Sequence, residues 1–284
     1  MRIRTNVSAI NTTRNHGIVQ GNLNKSLEKL SSGYQINRAG DNAAGLTLSE
    51  RMRSQISGLD QAVRNTDDSI GMANTGEGAL QEVHSMLHRL KTLATESANG
   101  TYDDIARANI DSERGELLNE IDRIAGSTNF DGVALFDNTD QGPAVRPLQP
   151  KEKDEITLQI GATDAETMPM TRYYLGSKVM GLDYLDFNDQ TKANESIDIL
   201  DEAIDVVTKM RSSFGSNSVH LQHTKNSLGV TSENINNAES AIRDTDMTAE
   251  MTRYTSANII SQSAQAMMAQ ANQMPQIVLN IIQQ

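Results

Sequence analysis

LDEAIDVVTKMRSSFGSNSVHLQHTKNSLGVTSENINNAESAI, residues Leu200–Ile242, places an apolar side chain at every seventh position: Leu200, Val207, Phe214, Leu221, Leu228, Ile235 and Ile242. A strict seven-residue apolar repeat keeps one seam facing a partner only when the helix coils left-handedly around it. The intermediate positions are mixed: Ile197 and Ile204 are apolar, whereas Arg211, Ser218 and Lys225 are polar. The seam is therefore thin, and it predicts a helix packed against other helices in an elongated bundle.

Partners for that helix lie in the N-terminal arm. Met52, Ile56, Leu59 and Val63 step by 4-3-4, and the stripe resumes at Ile70 and Ala73. Leu80, Val83, Leu87, Leu90 and Ala94 continue it in steps of 3-4-3-4. The stretch ANGTYDD (Ala98–Asp104) breaks the chain before a further helix marked by Ile110, Leu117, Ile121 and Ile124. Between about 129 and 190 the period changes. In NFDGVALFD, Phe130 precedes an Asp-Gly turn, and in ITLQIG the residues Ile156, Leu158 and Ile160 alternate as a half-buried strand does.

Composition agrees with this division. The 284 residues carry a net charge of −12, only 4% aromatics and no Trp, while four of the five prolines (Pro143, Pro147, Pro150, Pro169) fall mid-chain and the fifth is Pro275. Long proline-free arms around a proline-containing middle predict two helical arms and an insert. The absence of cysteine excludes disulfides, thiol catalysis and Cys-based zinc sites. The acidic balance and the lack of P-loop, GxGxxG or RNP patterns argue against nucleic-acid partners. His84 and His88 are spaced to share a helical face, as are His220 and His223, but no Glu follows His84 directly. These histidines read as solvated helix residues, so no catalytic group, cofactor or metal is expected. MRIRTNVSAINTTRNHG, Met1–Gly17, lacks the apolar run of about 7–15 residues that a cleavable secretory signal needs.

The ends of the chain pose a different problem. YTSANIISQSAQAMMAQANQMPQIVLNIIQQ, Tyr254–Gln284, contains no charged residue and no histidine. Ile260, Ala264, Met267, Ala271, Met274, Val278 and Ile281 form a 4-3-4-3-4-3 stripe. A membrane span needs about 20 predominantly apolar residues, and Gln262, Gln265, Gln270, Asn272, Gln273 and Gln276 interrupt every candidate window. One such stripe does not return the roughly 1–2 kcal/mol per residue that ordering a backbone costs, so the segment needs burial on several sides and orders with assembly. Residues 1–42 have the same difficulty. Val7, Ile10, Ile18, Leu23, Leu27 and Leu30 give a broken helical stripe in a stretch where Arg2, Arg4, Arg14, Lys25, Lys29 and Arg38 outweigh Glu28 and Asp41. Membrane-surface binding is one use for a basic amphipathic segment; pairing with the C-terminal stripe is the other, and it solves both ends at once.

Three blocks of sequence resemble bacterial flagellin. They are LEKLSSGYQINRAGDNAAGLTLSERMRSQI (Leu27–Ile56), LLNEIDRIAGSTNFDGVALF (Leu117–Phe136) and AIRDTDMTAEMTRYTSANIISQSAQAMMAQANQMPQIVL (Ala241–Leu279). Asn42 departs from the family's usual second Asp in the first block. The resemblance implies a mainly α fold: an elongated helical bundle with paired N- and C-terminal coiled-coil helices and a small β-hairpin segment mid-chain. Residues 1–42 and 246–284 would form the two halves of an inner coiled-coil domain. Residues 43–190, with the β-containing segment at about 129–190, and 191–245 would form the core helical domain. The short middle leaves little room for outer domains, which implies a thin, smooth filament.

In function, the resemblance implies a subunit exported unfolded through the flagellar type III apparatus, which polymerises with its own copies into a helical filament. The expected partners are an export chaperone that holds the C-terminal helix, the filament cap and the hook–filament junction proteins. The filament is expected outside the cell rather than in a periplasm. Val7, Ile10, Leu23, Leu27 and Leu30 with Ile260, Ala264, Met267, Ala271, Met274, Val278 and Ile281 would pack the filament core. MLHRLKTLATESANGTY (Met86–Tyr102) resembles the region read by the host flagellin-sensing Toll-like receptor, with Arg89, Leu93 and Glu113 at the matching contact positions; Lys91, Thr92, Thr95 and Glu96 depart from the family pattern. A hook–filament junction protein, or a secreted binding module acting as a monomer, are the competing readings; self-association separates the second from a filament subunit.

Overall fold

A computed structural model describes residues 6–138 and 148–282, with side chains described through Gln273 in the last helix. Met274, Val278 and Ile281 therefore lie outside the described side chains, and Pro143 and Pro147 outside the described backbone. Five helices carry most of the chain: α1 (Val7–Ser32), α2 (Ala43–Ser97), α3 (Asp104–Ser127), α4 (Gln190–Arg243) and α5 (Met247–Ile282). Between α3 and α4 lie five short strands: β1 (Asn129–Phe130), β2 (Val133–Ala134), β3 (Phe136–Asp137), β4 (Glu152–Gln159) and β5 (Thr167–Tyr174). The chain forms two compact units, residues 57–232 and residues 1–56 with 233–284.

In the 57–232 unit the seam of α4 meets α2 as the heptads require. Leu200, Val207, Phe214 and Leu221 are buried, together with Leu80, Val83, Leu87, Leu90 and Ala94 of α2. Leu228 is half-buried, as are Ile235 and Ile242 further along α4. A second, polar row runs beside the apolar one. Ser232 Oγ donates to Asp60 (3.2 Å), Lys225 Nζ to Asp67 (2.6 Å) and Ser218 Oγ to Asn74 (3.2 Å). These partners step by seven in opposite directions, so α2 and α4 run antiparallel in heptad register.

The break before α3 falls where expected. Asp103 caps that helix, its side chain accepting from Ala106 N at 2.8 Å, as an N-terminal Asp does for an orphan amide. Ile110 and Ile121 are buried; Leu118 takes the buried position predicted for Leu117, which is half-buried.

The middle segment is more than one hairpin. Phe130 and Val133 pair across the Asp131-Gly132 turn, where both turn residues have positive φ (50° and 80°). That is the geometry Asp-Gly supplies between strands with a two-residue connection. Strands β4 and β5 form a second antiparallel hairpin, Leu158 facing Met168, and β3 joins β5 on its other edge in parallel. Leu158 is buried and Ile156 half-buried, as the alternation predicted.

Phe214 joins sheet and bundle. Its ring stands edge-on to Phe136 (5.8 Å between centroids) and Tyr173 (6.0 Å). Gly76 of α2 lies beneath it, where an added Cβ would come within 2.9 Å of the ring. Phe214→Ala is expected to lower unfolding free energy by about 3–5 kcal/mol through the cavity it leaves, and Gly76→Ala by about 1–3 kcal/mol through overpacking, both read from denaturant titrations of the monomer.

Candidate functional site

The other unit is built on the two terminal helices. Asn6 caps α1, accepting from Ala9 N at 3.1 Å, and Gly33 ends it in the left-handed conformation. Three contacts fix its register against α5: Asn6 Nδ2 donates to the Ala271 carbonyl (2.8 Å), Thr13 Oγ1 to Met268 Sδ (3.7 Å), and Gln265 Nε2 lies 3.5 Å from His16 Nε2. The positions rise on one helix as they fall on the other, so α1 and α5 are antiparallel.

The residues turned inward are a mixture of small and large ones. On α1 the half-buried or buried positions include Ala9, Thr12, His16, Val19, Leu23, Ser26 and Leu30. On α5 they include Glu250, Tyr254, Ala257, Ser261, Ala264, Met268 and Ala271. Each set steps in threes and fours as a heptad seam does, and Ala, Ser and Thr alternate in it with larger residues. Small side chains let the two backbones approach, and several bulky residues of each stripe are displaced to its flank. Val7 (58% exposed), Ile10, Ile18 and Leu27 on α1, and Ile259, Ile260 and Met267 (65%) on α5, face outward.

Of the residues expected to pack the paired ends, Ala264 is buried, and Ala271, Leu23 and Leu30 are half-buried. Val7, Ile10, Leu27, Ile260 and Met267 do not contribute to the seam between α1 and α5. Burial of one such side chain is worth about 1.5–3 kcal/mol, so the outward row is a large unclaimed stabilisation.

A polar cluster secures the other end of this unit. Arg243 Nη1 lies 2.7 Å from Glu50 Oε1 and 3.1 Å from Ser49 Oγ, and its guanidinium stacks over Tyr34, 4.8 Å from the ring centre. Ser49 Oγ donates to the buried Glu239 (3.0 Å), and the Arg243 carbonyl accepts from Gln35 N (2.6 Å). The Arg243 guanidinium bonded to Glu50 holds its carboxyl below the ordinary value. Asn42, the departure from the family's Asp, keeps the cap of α2, accepting from Gly45 N at 2.9 Å.

In the 57–232 unit, Arg89 Nε donates to Glu113 Oε1 at 2.7 Å, bridging α2 and α3, and that carboxylate raises the Arg89 pKa. Both side chains are about half exposed (49% and 43%). Leu93 is 1% exposed, inside the core beneath them. The structure thus brings Arg89 and Glu113 together on the surface and places Leu93 under it.

Comparison with known proteins settles the family. Residues 3–141 match the bacterial flagellin N-terminal helical region, and residues 197–282 the bacterial flagellin C-terminal helical region. The chain is 43% identical to a flagellin of Halalkalibacterium halodurans over 284 residues, covering 99% of this chain and 100% of that one. The chain belongs to the bacterial flagellin family. A flagellar filament 33 kDa core protein of Treponema phagedenis is 39% identical over 292 residues, covering 99% of this chain and all of the relative. A solved structure described as a flagellar hook-associated protein, from Vibrio parahaemolyticus, superposes with a TM-score of 0.59 at 13% identity, over 72% of this chain and 100% of that one. It shares the fold. As a flagellin, the chain is a structural subunit that polymerises into the flagellar filament, and not an enzyme. No helix among the described residues is long and apolar enough to cross a membrane.

Sequence reasoning missed the outward row as a distinct surface, and with it Ile259, Met247 and Met251, which are also exposed. The available signal was the doubling of apolar positions at Ile259-Ile260 and Met267-Met268. Two adjacent apolar residues on a helix point about 100° apart and cannot both enter one narrow seam.

Proposed function

We propose that the outward apolar row on the α1–α5 pair is the surface on which copies of this flagellin pack, with residues 1–42 and 246–284 as the innermost layer of the filament. The observation that carries this reading is the exposure of Ile260 and Met267 beside the α1–α5 seam. A monomer gains nothing from seven bulky side chains in water; a helical stack of copies buries them. Head-to-tail contacts that do not close give an open polymer. The uncharged run Tyr254–Gln284 suits such a layer, because a charge there would lose its hydration without a partner.

The same row explains the rest of the life cycle. Terminal helices that stay sticky until assembly need a chaperone over the C-terminal helix before export, and an unfolded chain suits passage through the flagellar type III apparatus. The cap and the hook–filament junction protein then meet the same ends of the subunit, and the filament extends outside the cell. The hook-associated fold match does not favour a junction role, because it carries only 13% identity.

Ile260→Asp and Met267→Asp, which alter exposed positions, are expected to leave the melting temperature of the monomer unchanged and to abolish growth from filament seeds, scored by electron microscopy. Normal filaments from both variants would sink the assignment of this row.

Recognition by the host flagellin-sensing Toll-like receptor centres in this reading on the Arg89–Glu113 pair, with Leu93 supporting it from the core. A planar guanidinium already held by a carboxylate is presented in one orientation, which lowers the ordering cost of binding. Arg89→Ala combined with Glu113→Ala is expected to weaken receptor binding by about 2 kcal/mol or more, as loss of an interface hot spot does. Unchanged affinity in a surface-capture assay would remove the site.

A further inference from the structure

The geometry points to a two-histidine site on α2 for a divalent transition-metal ion that takes ligands at right angles, nickel(II) or copper(II) in preference to zinc(II). His84 and His88 sit one helical turn apart with their rings edge-to-face, centroids 4.5 Å apart, and their Nε2 atoms stand 3.0 Å from each other. Two imidazole nitrogens each bound at about 2.0–2.1 Å are about 2.9 Å apart when they subtend a right angle, and about 3.3 Å apart in a tetrahedron. The 3.0 Å separation is that of the hydrogen bond between the two rings in the free protein, and a small rotation of the exposed His88 ring brings the pair to the first arrangement. Square-planar and tetragonal nitrogen sites are those of copper(II) and nickel(II), and imidazole is a good ligand for both.

In the free protein, one ring's N–H donates to the other ring's lone pair, so the 3.0 Å contact holds one proton. Metal binding requires the donor ring to change tautomer, its proton moving from Nε2 to Nδ1 through solvent with no net release, so that both Nε2 lone pairs become available. The Arg211 guanidinium lies near His84. The Arg211 guanidinium that would repel a cation is itself paired with Glu77 at 2.7 Å.

His88 is exposed, which leaves the remaining coordination positions open to water. Among the described residues no group of three or more His, Asp or Glu converges as a metal cage. His84 Nδ1 is buried without a hydrogen-bond partner, so it lacks the carboxylate or carbonyl that usually stands behind a metal-bound histidine. The site is therefore a weak surface clasp across one turn of helix, not a structural centre.

Isothermal titration of the unpolymerised full-length chain with nickel(II) and zinc(II) tests this, run in a His220→Gln/His223→Gln background to remove the other closely spaced pair. One nickel per chain is expected, bound more tightly than zinc. His88→Gln and His84→Gln are each expected to weaken it at least about tenfold, with circular dichroism confirming unchanged helix content. Nickel affinity unaffected by His88→Gln, or binding that disappears in the His220→Gln/His223→Gln background, overturns the site. Tighter binding of zinc than of nickel overturns the right-angle assignment.

Discussion

Two helices can bring only one narrow stripe of each together, and the ends of this chain carry more apolar surface than one stripe holds. In α1 and α5 the shared stripe is taken in part by small residues such as Ser26, Ser261 and Ala264, all buried. Ile260, Met267, Ile18 and Val7 are left facing water. Close approach of the backbones and burial of the large side chains are competing demands, and within one subunit the first is met. In the proposed filament the second is met by other copies, to which the free energy withheld from the monomer is available.

The 57–232 unit buries most of its large apolar side chains in a continuous core of its own. Phe214, Phe136 and Tyr173 interlock over Gly76, and the apolar seam of α4 closes against α2. Beside it the polar row of Asp60, Asp67 and Asn74 with Ser232, Lys225 and Ser218 fixes the register. Exposed ion pairs and hydroxyl bonds of this kind add little stability individually. Their value lies in register: a slip of one turn would separate all three pairs together. This unit holds its core with its own side chains and carries the Arg89–Glu113 pair on its surface.

Much of this was legible in the residues. The seventh-position repeat identified α4 and its buried face from Leu200 to Leu221, because a helical period survives in sequence wherever the partner is continuous. The Asp-Gly turn after Phe130 and the alternation of Ile156 and Leu158 are equally local signals, and both correspond to observed elements. The parallel pairing of β3 with β5 was not legible, since it joins residues far apart in the chain with no turn to mark it. Neither was the Arg243 cluster, which gathers Tyr34, Ser49, Glu50 and Glu239 from two helices and a loop. The inward faces of α1 and α5 were offset from the expected ones for a physical reason. Hydrophobicity favoured Ile260 and Met267, whereas their neighbours Ser261 and Met268 turn inward beside the expected Ala264. For Leu93, similarity named a contact position, but its place on the α2 seam put it in the core.

Amide hydrogen exchange, compared between the monomer and the filament, tests most directly whether the terminal pair draws its stability from assembly while the 57–232 unit does not. Fast exchange is expected along α1 and α5 in the monomer and strong protection of the same amides in the filament, with the amides around Leu87, Ile121 and Phe214 protected in both. Terminal helices as well protected in the monomer as that core would contradict this dependence on assembly.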